Sequence, residues 1–274
     1  MPWRARTNVQ RHGARRACRP QLKRDPLGGA DDLMTKFRIP VLVSALCLTC
    51  LANVWAQGAR LSVETKRLGS GVDTLSVFLV QGTDTVRTGF TIDDWRADGD
   101  RLVRIYLTVD RVLGNGLDTI ISSLSDLKPL AYQERSLRRI ADLSFAGSQV
   151  RGWIKLPNGD STTVAARLPS VVYDGAAFDL VVRASPLRDG FTVVVPSYVI
   201  GANAVSNFTA SVAGRESIDG HECWVVKATV TGMPVTFWVD AESRRLRRQV
   251  MEPRVGFFII LAHAAEQQRR GRAT

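Results

Sequence analysis

Short apolar runs recur along this chain, separated by tight-turn signals. Asp98-Gly99, Asn158-Gly159 and Asp219-Gly220 each stand between two strand-like runs. Asn-Gly and Asp-Gly tolerate the positive φ that short hairpin loops demand. Strands joined this closely run antiparallel to their neighbours. Leu61–Leu68, Leu75–Gln81, Val86–Trp95 and Leu102–Val109 read as a first series. Pro129–Ser136, Ile140–Phe145, Gln149–Leu156 and Ser161–Leu168 read as a second. Phe191–Tyr198, Asn207–Ile218, Glu222–Thr231, Pro234–Ala241 and Leu246–Glu252 form a third. Asp118 to Lys128 shows no clear period, and the apolar run Val255–Ala264 suits a strand or a helix equally.

One segment interrupts this pattern. Phe178, Val181, Val182 and Ser185 share a face at helical spacing, while Phe178, Leu180, Val182 and Ala184 alternate as a strand would. Periodicity alone leaves the two readings open. Asp174 is placed to cap a helix, and Pro186 is placed to stop one. These signals favour a helix. The expected fold is therefore mainly β: a curved antiparallel sheet, or incomplete β-barrel, wrapped around a short central helix.

The N-terminal part of the chain reads differently. Residues 1–33 are rich in Arg, Gly and Pro without an apolar period, and read as a disordered or mis-assigned extension. Residues 34–56 have the three parts of a secretory signal peptide. Lys36 and Arg38 are basic, Ile39 to Leu51 is uncharged and apolar, and Val54 and Ala56 are small residues before Gln57. The apolar run is short for the ~20 residues of a membrane span, so cleavage is expected, leaving no stable transmembrane anchor. That leaves 57–264 as a single antiparallel β domain and 265–274 as a disordered tail. The expected location is the periplasm or the exterior.

Charge agrees with this division. Of the net charge of +11, +5 falls in residues 1–33, +2 in 34–56 and +4 in the rest. The basic excess thus lies mostly outside the folding part, which argues against nucleic-acid binding. Cys223 is the sole cysteine after residue 56, so no internal disulfide is available there. It sits in a strand-like run and reads as a buried, inert thiol.

Chemical motifs are absent. His221 and His263 are the two histidines after residue 56, too few for a metal centre with Cys223. No Gly-x-Ser-x-Gly elbow or phosphate-binding loop is present after residue 56. Asp93-Asp94 with Asp98 and Asp100 read as solvated turn residues, and Arg244, Arg245, Arg247 and Arg248 as a solvated basic face. No catalytic residue, metal or cofactor is expected, and the chain does not read as an enzyme. The large apolar side chains are the positive signal. Phe178, Val181, Val182, Trp153, Trp224 and Trp238 are the candidates to line a hydrophobic cavity inside the sheet.

The run Asp179-Leu180-Val181-Val182-Arg183-Ala184-Ser185-Pro186-Leu187 is followed by Gly190-Phe191, Gly214-Arg215-Glu216-Ser217-Ile218, Trp224-Val225-Val226, Val235-Thr236-Phe237-Trp238-Val239-Asp240 and Arg244-Arg245-Leu246-Arg247-Arg248. This order resembles the DUF3108-type exported bacterial proteins, a domain of unknown function, over roughly Pro129 to Glu252. Those in turn are similar in shape to the LolA/LolB lipoprotein carriers, an incomplete barrel closed by a helical lid. The resemblance implies a non-enzymatic envelope protein that binds or carries a lipid or other apolar component. The alternative is a structural or protein-interaction module with a filled core and an envelope protein as partner.

Overall fold

The computed structural model describes residues 61–263. The expected extension at 1–33, the signal peptide at 34–56 and the tail at 265–274 lie outside them. The described residues form one sheet of 15 strands, unclosed at its two edges. The first meander comprises β1 (Gly71–Gln81), β2 (Asp84–Asp98), β3 (Arg101–Asp110), β4 (Gly116–Ser123), β5 (Pro129–Ser136), β6 (Ile140–Ala146), β7 (Gln149–Lys155) and β8 (Ser161–Arg167). Each pairs with the next. The chain then passes through β9 (Tyr173–Asp174) and a short 3-10 turn, Gly175–Ala177, into helix α1 (Phe178–Ala184). A second meander follows: β10 (Thr192–Val199), β11 (Ala204–Ile218), β12 (His221–Val230), β13 (Met233–Asp240), β14 (Leu246–Arg254) and β15 (Phe257–Ala262). β15 returns to pair with β1, from Ser76 opposite Ala262 to Gln81 opposite Phe257. The two meanders thereby become one continuous sheet. β8 and the two-residue β9 are its free edges, and β9 joins β10 in the one parallel pairing among the described residues.

Alternation decides which face is inside. On β1, Asp73, Leu75 and Val77 are buried while Val72 and Thr74 are exposed. The same period places Leu143 and Phe145 of β6, and Phe237 and Val239 of β13, in one core with the helix. Curvature requires close strand approach at Gly152, whose φ is +146°. A Cβ there would meet the Asp142 carbonyl oxygen at 1.9 Å. Gly99, at φ +60°, turns β2 into β3 as the Asp98-Gly99 signal predicts.

The central segment is a helix. Asp174 accepts from the Ala176 N–H at 2.8 Å, so it caps the preceding 3-10 turn and not α1 itself. α1 stops at Ser185, whose extended ψ of 153° is what the residue before proline prefers. At seven residues α1 is far below the ~12 needed for an isolated helix. Packing maintains it: Phe178, Leu180, Val181, Val182, Arg183 and Ala184 are all buried. The helix is buried almost all round because the sheet surrounds it.

The expectation of a strand over Leu61–Leu68 is corrected. This stretch is irregular with a 3-10 turn at Thr65–Arg67. Its backbone partners lie inside the fold: the Glu64 N–H donates to the Ala184 carbonyl at 2.6 Å, and Trp95 Nε1 donates to the Leu68 carbonyl at 3.1 Å. The segment therefore packs at the end of α1 and joins no ladder. The ambiguous runs resolve as strands, β4 covering the first part of Asp118–Lys128 and β15 most of Val255–Ala264.

Candidate functional site

Strand register puts two unusual rows of side chains on the inner face. One row runs Trp95, Arg104, Ile120, Tyr132 and Leu143, from β2 to β6. The next runs Asp73, Asp93, Tyr106, Asp118, Glu134 and Ala141, from β1 to β6. Four carboxylates thus stand along one inner row, with an arginine on the row beside it. A buried charge is stable only when paired and hydrogen-bonded, so the partners of each decide what the site is.

Arg104 is saturated. Its Nε and Nη2 donate to the two oxygens of Asp93 at 2.6 and 2.9 Å. Nη1 and Nη2 donate to the two oxygens of Asp179 on α1 at 2.7 and 2.9 Å. The remaining Nη1 hydrogen goes to the Ala176 carbonyl at 3.3 Å. All the guanidinium hydrogens are used. Burial opposes the charged form of Arg104, but the facing carboxylates of Asp179 and Asp93 outweigh it and hold its pKa well above the usual value. Arg183 completes the cluster from the helix. Its Nη1 lies 3.4 Å from Asp93 and 3.8 Å from Asp179, and its Nε donates to the Arg244 carbonyl at 2.9 Å. Its guanidinium stacks on the Trp95 ring, 4.2 Å from the centroid. Two arginines and two aspartates thus form a neutral group that ties α1 to β2 and β3. The helix is a plug anchored against the inner face of the curved, unclosed sheet.

Beside this cluster lies a cavity of about 250 Å³. Leu75, Ile120, Phe178, Val235, Phe237 and Met251 give it an apolar wall, and Val230 and Met233 lie where β12 turns into β13. Its polar lining is Asp93, Arg104, Tyr106, Asp118, Asp179 and Gln249. Asp93 and Asp179 are spent on the arginines, whereas Asp118 makes no ion pair among the described residues. Burial and the adjacent Glu134 push its carboxyl up to about 6. Glu134 is itself engaged, receiving hydrogen bonds from Tyr132 and Ser136 and an ion pair from Arg139. Burial raises the Tyr106 hydroxyl to about 12, so it stays protonated and can donate. Deeper, Asp174 is fully buried and pushed up to about 7 by burial, with one carboxylate oxygen unpartnered.

The six cavity candidates separate. Phe178 lines the cavity and packs edge-on against Phe208 and Phe237, with centroids at 5.1 and 6.2 Å. Val181 and Val182 are buried in the core behind it. Trp224 is buried away from the cavity, with Arg215 stacked 3.9 Å over its ring. Trp153 and Trp238 correct the expectation, because strand alternation turns both outward. Trp153 is 37% exposed, on the other face of its strand from buried Val150, and Trp238 alternates with buried Phe237 and Val239. Trp238 donates to Glu216 at 2.7 Å under the Arg248 guanidinium.

Two further expectations change. Asp93 is not a solvated turn residue but 4% exposed in the ion cluster. Arg244 and Arg248 are buried, Arg245 pairs with Asp73 at 3.0 Å, and Arg247 pairs with Asp240 at 2.8 Å. Sequence reasoning missed Arg104, Asp118, Asp179 and Arg183 as site residues. The available signals were the broken alternation of β3 at Arg104 and the lone arginine among the apolar residues of α1. Cys223 is fully buried.

The chain is similar in structure to a β-barrel-like protein of the domain of unknown function DUF1849 from Brucella abortus, at 9% identity and a TM-score of 0.47. That similarity covers 72% of this chain and 96% of the other. No curated protein matches the chain. Residues 72–260, from early β1 to β15, match the family described as "Protein of unknown function (DUF3108)", and the chain belongs to that family.

Proposed function

We propose that this is an exported, non-enzymatic envelope protein that takes the apolar chain of a lipid or similar amphiphile into the cavity beside α1. The observation that carries the reading is the cavity itself: about 250 Å³, walled by aliphatic, aromatic and methionine side chains, beside the packed core of the curved sheet. Drug-sized ligands occupy about 300–1,000 Å³, so the space suits a short chain or one end of a longer one. Methionine at Met233 and Met251 gives the wall an adaptable surface. The apolar segment at 39–51 and the small residues before Gln57 support export. α1 is held by the ion cluster, so the proposed entry is past the β12–β13 turn, where Val230 and Met233 line the cavity. Native mass spectrometry of protein isolated from the envelope tests the reading. A co-purifying amphiphile of defined mass is expected; protein that is consistently ligand-free and has no affinity for acyl probes would overturn it.

A second reading rests on the extent of filling. α1 occupies the interior and is buried on nearly every side, as in a structural or protein-interaction module. A stable envelope partner recovered with ligand-free protein would favour it.

A further inference from the structure

We infer that the cavity selects an amphiphile with a cationic or hydrogen-bond-donating head, such as a primary amine, held by Asp118, and that it rejects anionic heads. This rests on the cavity reading above and adds the chemistry of the head group. The cavity lining contains three carboxylates and one guanidinium. Arg104 has every N–H committed to Asp93, Asp179 and the Ala176 carbonyl, so it has no donor left for a ligand carboxylate or phosphate. Asp93 and Asp179 are neutralised by the same arginine and by Arg183. What remains is the negative charge of Asp118, placed on β4 with its side chain at the cavity wall.

Among the described residues no cation lies within ion-pair distance of Asp118, and Arg139 and Arg104 act on it only from further off. Glu134 stands directly across on β5, Tyr106 directly across on β3, and Tyr132 one inner row away. The Tyr132 hydroxyl has a single proton, which Glu134 at 3.1 Å and Asp118 share, so it offsets only part of the Asp118 charge. The Arg139 guanidinium is taken by Glu134. Asp174 on β9 adds negative charge nearby, and Asp179 on α1 is already paired. An ammonium entering head-first would meet Asp118 and the row of acids behind it while its chain lay against Ile120, Phe237 and Met251. A carboxylate in the same place would face like charge with no free donor except the Tyr106 hydroxyl and the Gln249 amide.

The test compares three probes with the same tail, octylamine, octanol and octanoate, titrated into the full chain by isothermal calorimetry at pH 7.5. The amine is expected to bind about tenfold tighter than the alcohol, and octanoate more weakly than either. Asp118→Asn, near-isosteric and with no ion pair to lose, should fold as the parent does and bring amine and alcohol within about twofold of each other. Lowering the pH from 7.5 to 5 protonates Asp118 and should weaken the amine, leaving the alcohol unchanged; the Asn variant should lose that dependence, which separates Asp118 from Asp174. Equal binding of all three probes, or a preference that survives in Asp118→Asn, overturns the head-group inference and leaves the cavity reading standing. Failure of all three to bind overturns both.

Discussion

Asp174 combines two roles that pull in opposite directions. Its side chain satisfies the Ala176 N–H at the start of the turn into α1, yet it is fully buried with an unpartnered oxygen. Burial raises its pKa from 3.8 to about 7. The folded protein therefore holds a proton that the unfolded chain releases at lower pH. The resulting stabilisation is complete below the unfolded pKa and is lost as pH rises through the folded value. Asp118, raised to about 6, acts in the same sense. Stability measured by urea denaturation should thus fall between pH 5 and pH 8 by a few kcal/mol, because each tenfold gain in proton affinity on folding is worth about 1.4 kcal/mol. Asp174→Asn keeps a capping oxygen and should reduce this fall, being more stable than the parent at pH 8. An unchanged pH dependence in that variant would contradict the assignment. None of this is legible in the sequence beyond the capping role of Asp174. Burial of a short acid depends on what the sheet wraps over it, and that is set by residues distant in the chain.

At the scale of the element, α1 shows which parts of the sequence reading hold and why. Its existence, its end before Pro186 and the inward Phe178 follow from local signals. Its anchoring does not, because Asp179 and Arg183 are ordinary surface residues by composition and become buried only through Asp93 and Arg104, which arrive from β2 and β3. The outward Trp153 and Trp238 make the complementary point. Aromatic residues favour strands on either face, so their presence alone does not mark the core. Removing one partner from a buried ion cluster leaves an uncompensated charge. Asp179→Ala should therefore cost about 3–5 kcal/mol of stability, far more than an exposed helix position would. Chemical denaturation checks this; a loss under about 1 kcal/mol would show that the cluster does not hold the helix.

For the whole molecule, the sheet's continuity and its seam make distinct predictions. Consecutive hairpins are readable from Asp-Gly and Asn-Gly turns, and they impose nearest-neighbour pairing over each meander. The closure of β15 on β1 joins residues near opposite ends of the fold, and no local pattern specifies it. The register that aligns Asp93, Tyr106, Asp118 and Glu134 in one inner row is equally non-local. β12 has a partner on both sides and carries buried Cys223, Trp224, Val225 and Val226, whereas β8 pairs on one side with Ser161, Thr162 and Thr163 exposed. Hydrogen exchange should be slowest in β12 and β13 and fastest in β8. Equal protection of β8 would mean that the barrel closes in solution.

Entry of an apolar chain into the cavity beside α1 can be read out by methyl NMR. The chain has four methionines, and two of them, Met233 and Met251, line the cavity from neighbouring strands. With protein labelled at the methionine methyls, and those two signals assigned by Met233→Leu and Met251→Leu, titration with octylamine should shift both in a saturable way. Saturable binding by calorimetry with neither cavity methyl perturbed, or no binding at all, would show that this cavity does not receive the chain.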